Sequence, residues 1–209
     1  MTMTTGGSRR HRSDGERSRH AILVAAARLA SSRGIDRLSI GELADEVGMS
    51  KSGLYAHFGS KEELQLATID AAEGIFNEVV IAPADAAQPG LPAVVALTDA
   101  YLDHLRSRVF PGGCFFASAS AEIHSQPGPV KDRIAEFDVR WRARISGNLA
   151  IARDSGDLPP TEDLEAALFD VDAILYYAHG AFSFRDDPVV LEQAGRAVRR
   201  RLGIAATAT

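Results

Sequence analysis

The sequence of 209 residues contains one cysteine, Cys114, so no intramolecular disulfide can form and a reducing compartment is the expected setting. An intermolecular bridge or a redox role for that thiol stays open. No apolar run approaches the roughly 18 residues needed to cross a bilayer, and the arginine- and glycine-containing N-terminus lacks a hydrophobic signal core. A cytoplasmic protein with no membrane partner is therefore expected. No two of His104, His124 and His179 stand in an i, i+3 or i, i+4 relation, so no metal site is expected. Gly6-Gly7 and Gly112-Gly113 lack the surroundings of a phosphate loop, and Cys114 has no orienting third group to accompany His104 or His124 as a base. Neither an enzyme nor a cofactor is expected. Alternating strand patterns and internal repeats are also missing, which leaves an all-α chain.

What is present is an ordinary globular composition, 45% apolar, with an uneven charge. The net charge of −5 is concentrated in one part: residues 1 to 70 hold 10 Lys/Arg and 9 Asp/Glu, whereas residues 71 to 209 hold 13 and 19. Residues 1 to 17 are read as a flexible basic arm, since Arg9, Arg10, Arg12 and Arg17 outnumber Asp14 and Glu16 in a stretch without apolar periodicity. Such an arm either adds phosphate or minor-groove contacts to a DNA-binding domain or is a solvated tail.

Residues 39 to 63, SIGELADEVGMSKSGLYAHFGSKEE, carry the densest signal. Ser39 with Glu42, and Ser60 with Glu63, are spaced as capping boxes that start helices. Between them Gly48 suits a left-handed helix end, and Ser50 can cap the next helix. Ile40, Leu43, Ala44 and Val47 form an apolar stripe on the first helix, Leu54 and Phe58 one on the second. A preceding helix from Ser18 to Arg33, with Ile22, Leu23, Ala26, Leu29 and Ala30, supplies their partner surface. The predicted product is a three-helix domain over residues 18 to 64 with a short-turned helix pair, a helix-turn-helix. The second helix leaves Lys51, Ser52, Tyr55 and His57 exposed, donors suited to a phosphate-lined groove.

Ser39 to Leu64, and above all SKSGLYAHFGSKEEL, resembles the DNA-binding signature of the TetR family of transcriptional regulators. The likeness runs back through ILVAAARLASSRGIDRLS and covers residues 18 to 70; Ala30 departs from it where that helix commonly carries an aromatic side chain. Matched position by position, the resemblance implies that Ser39, Tyr55 and Lys61 hold phosphates, that Lys51 and Ser52 face base edges, that His57 does either, and that Gly53 admits close approach. Ser50 belongs to the same DNA-binding set. Tyr55 could instead stack into the small core.

The remainder, residues 65 to 204, reads as a helical regulatory and dimerisation domain, followed by a flexible tail at 205 to 209. Leu64, Ala67, Ala71, Ile75 and Val79 predict a long connecting helix broken by the stretch from Pro83 to Pro92. Val130, Ile134, Phe137, Trp141, Ile145, Leu149 and Ala152 form the cleanest stripe. Thr161 is an N-cap candidate for the next helix, and Asp187-Pro188 opens the last. These last two helices expose Leu168, Leu175, Phe182, Leu191, Ala194 and Val198, expected to pair with a second copy in a four-helix bundle or else to form an internal core. The resemblance also implies dimers, which would place two reading helices roughly 34 Å apart on an inverted-repeat operator.

Regulators of this family usually hold a small-molecule inducer between central helices, and the candidates here are Tyr101, His104, Phe110, Cys114, Phe115, Phe137, Trp141 and Tyr176. The same side chains at helical spacing also suit a plain core. The sequence thus predicts a homodimeric regulator that binds double-stranded DNA, a repressor relieved by a small molecule. A helical adaptor using its helix-turn-helix to bind protein is the alternative.

Overall fold

The computed structural model describes the backbone of residues 7–204 and the side chains of residues 17–204. Among the described residues every regular element is helical, in the order α1 (Gly7–Arg33), α2 (Ile40–Val47), α3 (Lys51–Phe58), α4 (Lys61–Phe76), a π-helical turn (Asn77–Ile81), α5 (Ala82–Ala84), α6 (Leu91–Arg106), α7 (Phe115–Ile123), α8 (Pro129–Ser155), α9 (Leu164–Arg185) and α10 (Val189–Arg201).

The head is α1 to α3. Ser39 Oγ accepts from Glu42 N at 3.2 Å, Ser50 Oγ from Gly53 N at 3.1 Å, and Ser60 Oγ from Glu63 N at 3.1 Å, so all three anticipated caps form. Gly48 ends α2 at φ 66°, the left-handed conformation that only glycine adopts without cost. Ile22, Ala26, Leu29 and Ala30 of α1 close on Leu43, Ala44, Leu54 and Phe58, all buried. One boundary differs from the sequence reading. Over residues 7–17 the backbone continues α1 rather than forming a separate arm, because extending an existing helix adds one hydrogen bond per residue fixed and requires no new nucleus. Residues 1–6 and the expected tail at 205–209 lie outside the described residues.

The body packs α4, α6, α8, α9 and α10 around one another, with α7 wedged between α8 and the C-terminal half of α1. Pro83 does not stop the helix begun at Lys61. It lacks an N–H to donate back along the helix, and the chain widens just before it, with Ala82 N bonding to Asn77 O five residues earlier. The buried stripe of α4 is Leu64, Thr68, Ile69, Ala72 and Phe76, one residue out of phase with the partly buried Ala67, Ala71 and Ile75. The cap of α9 is Asp163, whose carboxylate accepts from Glu165 N and Ala166 N at 3.1 Å each, not Thr161.

The hairpin of α9 and α10 corrects the expected dimer face. Leu168, Leu175, Phe182, Leu191, Ala194 and Val198 are all buried within a single chain, where they pack the hairpin onto α6 and α8. Exposed instead are Phe169, Tyr176, Tyr177 and Phe184 of α9, the last 90% exposed, with Ala173 and Gly180 between them. Leu168, Leu175 and Phe182 are inward and Phe169, Tyr176, Tyr177 and Phe184 outward on the same helix.

Candidate functional site

Two surfaces carry chemistry, and α7 lies between them. On the head, α3 presents Lys51, Ser52 and Tyr55 to solvent, with Tyr55 56% exposed rather than stacked in the core, and His57 half-buried beside the Phe58 ring. Ser50 and Ser39 are occupied as caps, and the Ser52 hydroxyl shares a 3.2 Å hydrogen bond with Ser50. Gly53 is tight: a β-carbon there would stand 3.2 Å from Ser50 Oγ. Lys61 Nζ donates to the Asp36 carbonyl and lies 3.5 Å from its carboxylate. That pair is half-exposed and so worth little, which leaves the ammonium free to exchange partners. Arg19 lays its guanidinium over the Phe58 ring at 4.9 Å, tying α1 to the end of α3.

The second surface is a cavity of about 340 Å³ that opens to solvent and is lined by α4, α6, α7, α8 and α9. Of the residues expected to hold a ligand, Tyr101, Cys114, Phe137, Trp141 and Tyr176 line it. His104, Phe110 and Phe115 do not; they stand behind the wall, His104 edge-on to Phe76 at 5.7 Å and to Phe110 at 5.5 Å. The sequence reading missed Phe76, Phe116, Ser120, Asp138, Arg142 and Asp172. Phe76 was missed with the out-of-phase stripe on α4. The charged residues had a signal: Asp138 and Arg142 flank Trp141 and Phe137 on a stripe otherwise devoted to the core.

Inside, the Phe116 and Phe137 rings stack, and Phe76 meets Phe137 and Trp141 edge-on at 5.1 and 5.7 Å. Burial pushes the Tyr101 phenol well above its ordinary value, with Cys114 adding to the effect, and pushes the Cys114 thiol up as well. Cys114 therefore stays a neutral thiol, which is a poor nucleophile and a poor redox sensor. At the mouth Arg142 Nη1 donates to Asp172 Oδ2 at 2.6 Å. Burial raises the Asp172 carboxyl and the charge of Asp138 raises it further, against the opposing pull of Arg142 and the Trp141 indole. Burial also lowers the His104 imidazole to about 4, with His179 contributing, and neither ring nitrogen of His104 has a hydrogen-bond partner.

The two surfaces meet at α7. Phe116, Ala117 and Ser120 face the cavity, while Glu122 reaches the other way and accepts from Ile35 N at 2.7 Å and Asp36 N at 3.1 Å in the link between α1 and α2. Ser120 and Glu122 lie about 200° apart around the helix, so one element touches both. The fit around that link is close. Gly34 has φ 95°, and a β-carbon there would stand 2.4 Å from Glu122 Oε1. In the loop before α7, Gly112 N donates to Ser31 Oγ at 3.3 Å, and a β-carbon at Gly112 would stand 1.8 Å from the Ser31 carbonyl oxygen. Arg28 Nη1 donates to Val109 O at 2.7 Å and buried Gln65 to Ile35 O at 2.8 Å.

A capped helix-turn-helix with a basic, hydroxyl-rich face, mounted on a helical body with an open cavity, defines a DNA-binding transcriptional regulator. Comparison with known proteins fixes the family. Residues 22–68 match the family described as bacterial regulatory proteins, tetR family, and residues 90–198 match the tetracyclin repressor-like C-terminal domain, so the chain belongs to the TetR family of transcriptional regulators. It is 26% identical over 166 residues to the HTH-type transcriptional regulator EthR of Mycolicibacterium smegmatis, covering 77% of this chain and 72% of that protein. A TetR transcriptional regulator from Chloroflexus aurantiacus superposes with a TM-score of 0.84 at 21% identity, covering 91% of this chain and 96% of the other. The structure of AibR in complex with isovaleryl coenzyme A and operator DNA superposes with a TM-score of 0.70 at 22% identity, covering 87% and 97%. Among the described residues no helix is long and apolar enough to cross a membrane, and no cluster of His, Cys, Asp and Glu could hold a metal ion.

Proposed function

We propose that the chain is a homodimeric repressor, released from an inverted-repeat operator when a small molecule enters the cavity between α7, α8 and α9. The observation that carries this reading is Glu122, which ties the helix that walls the cavity to two backbone amides of the reading head. A ligand that displaces Phe116 or Ser120 must move α7, and α7 cannot move without pulling on the link that positions α2 and α3. The capture of both an acyl thioester and operator DNA by AibR, a protein of the same fold, supports the pairing of the two sites.

On DNA, Lys51 and Ser52 read base edges and His57 contacts bases or phosphate, while Ser39, Ser50, Tyr55 and Lys61 lie against the backbone and Gly53 lets α3 come close. The basic residues at the start of the chain, Arg9, Arg10 and Arg12, whose side chains lie outside the described residues, add phosphate contacts. The second copy docks on the exposed stripe from Phe169 to Phe184, whose alternation of aromatic residues with Ala173 and Gly180 is what a self-complementary, two-fold helix pairing requires.

The test is to retain genomic fragments on the purified protein at near-physiological salt with competitor DNA and to sequence them. A shared inverted repeat is the expected result. Salt-labile retention without any shared sequence would overturn the reading and favour an adaptor whose helix-turn-helix binds protein.

A further inference from the structure

The cavity has an asymmetric charge inventory. Its polar lining consists of Tyr101, Cys114, Ser120, Asp138, Asp172, Tyr176 and a single cation, Arg142. That cation is already committed to Asp172 at 2.6 Å. Among the described residues no cation pairs with Asp138, and its carboxylate faces Asp172 closely enough for the two to repel. The mouth therefore carries one negative charge in excess. Its walls are aromatic faces and edges: Phe76, Phe116, Phe137, Trp141 and Tyr176. An aromatic face attracts a cation through its quadrupole and gives an anion nothing. An incoming carboxylate would meet two carboxylates and a guanidinium that is already spoken for, and a neutral ligand would leave the excess charge uncompensated.

We propose that this cavity selects a lipophilic organic cation, an amine or quaternary ammonium on an aromatic or alicyclic body. The charged nitrogen sits between Asp138 and Asp172 at the mouth, and the body lies among Phe76, Phe137 and Trp141. This rests on the reading of the cavity as the effector site. The volume of about 340 Å³ admits a drug-sized molecule and excludes a long-chain acyl conjugate unless most of it stays outside.

Trp141 is the sole tryptophan of the chain and lines the cavity, so its emission reports on this site alone. The full-length protein is titrated at pH 7 with three probes of one shape: 4-phenylbutylamine, 4-phenylbutan-1-ol and 4-phenylbutyrate. The amine is expected to shift Trp141 emission and bind about tenfold more tightly than the alcohol, with the acid weakest. Asp138→Asn, at an exposed position without a partner to lose, is expected to remove that tenfold preference, bringing the amine down to the affinity of the alcohol. Asp138→Lys is expected to invert the order of amine and acid. Equal binding of amine and alcohol, tighter binding of the acid, or an amine affinity indifferent to both variants would overturn the cation assignment while leaving the cavity as a ligand site. Silence of Trp141 toward all three probes up to their solubility would overturn the effector-site reading together with the proposal.

Discussion

The head and the body are both built of helices, yet they encode themselves differently. In the head, the starts of α2 and α3 are written into serines that meet a backbone amide three residues later, Ser39 with Glu42 and Ser50 with Gly53, and the same device at Ser60 opens the helix that leads into the body. In the body, the decisive contacts join distant segments: Arg142 with Asp172, Arg199 with Asp99, Arg201 with Asp170 and Glu162, and Glu122 with the link at Ile35. The head shows that local chemistry can specify a surface almost residue by residue. The body shows that a cavity is the joint product of five helices, none of which announces it alone.

The strongest way to break this contrast is at the α9 and α10 hairpin. Val198→Asp buries an unpaired charge in the core of a single chain and should cost about 4 kcal/mol or more in a denaturant titration. Phe184→Asp, on the exposed stripe, should leave the fold within about 0.5 kcal/mol while sedimentation shows dissociation and operator affinity falls. Dimers that survive Phe184→Asp would move the pairing surface elsewhere.

Next in size is a pH effect peculiar to the body. His104 titrates near 6.5 when unfolded and is held neutral to about 4 when folded, so the unfolded chain takes up the proton first. Stability from the neutral ring is complete above pH 6.5, declines as the pH falls toward 4, and totals about 3 kcal/mol. His104→Phe, seated among Phe76, Tyr101 and Phe110, should flatten that acid limb; an unchanged pH profile would show that other groups set it.

Smaller again is the joint between the two regions. Glu122→Ala removes two charge-assisted hydrogen bonds to backbone amides and should cost about 2 kcal/mol by thermal melting. It should also raise amide exchange at Ile35 and Asp36 without changing the exchange of α9. Uniform exchange across both regions would mean that Glu122 is not their particular link. Smallest is the head's own device: Ser39→Ala should cost about 1 kcal/mol by loss of the α2 cap, and no measurable loss would show that Glu42 N finds water just as well.

The same contrast explains what was legible. The caps at Ser39, Ser50 and Ser60 and the turn at Gly48 follow from residues within reach of one another, so the head and its exposed Lys51, Ser52 and Tyr55 could be read directly. On α9 the sequence offers two apolar stripes, Leu168, Leu175 and Phe182 beside Phe169, Tyr176 and Phe184, and local pattern does not say which faces inward; α6 and α8 decide it. On α4 the choice between Ile75 and Phe76 is likewise made by the rings of Tyr101, Phe137 and Trp141 that receive Phe76. His104 drew notice as a soft polar group, but only its neighbours turn it from a ligand contact into a wall.

The wide turn at Asn77–Ile81 accommodates one more residue than an α-helical turn would. Deleting a single residue there would restore the ordinary pitch with the flanking segments nearly in register, because the wide turn already absorbs the extra residue. A deletion in the regular helix between Lys61 and Phe76, by contrast, would rotate everything N-terminal to it by about 100° about the helix axis and carry α3 away from its present heading. The aim of the reading helix is thus held by counting: the number of residues between Lys61 and Phe76 sets an angle, and insertions or deletions within that span act on direction as well as on length, while the wide turn after it has room to absorb one.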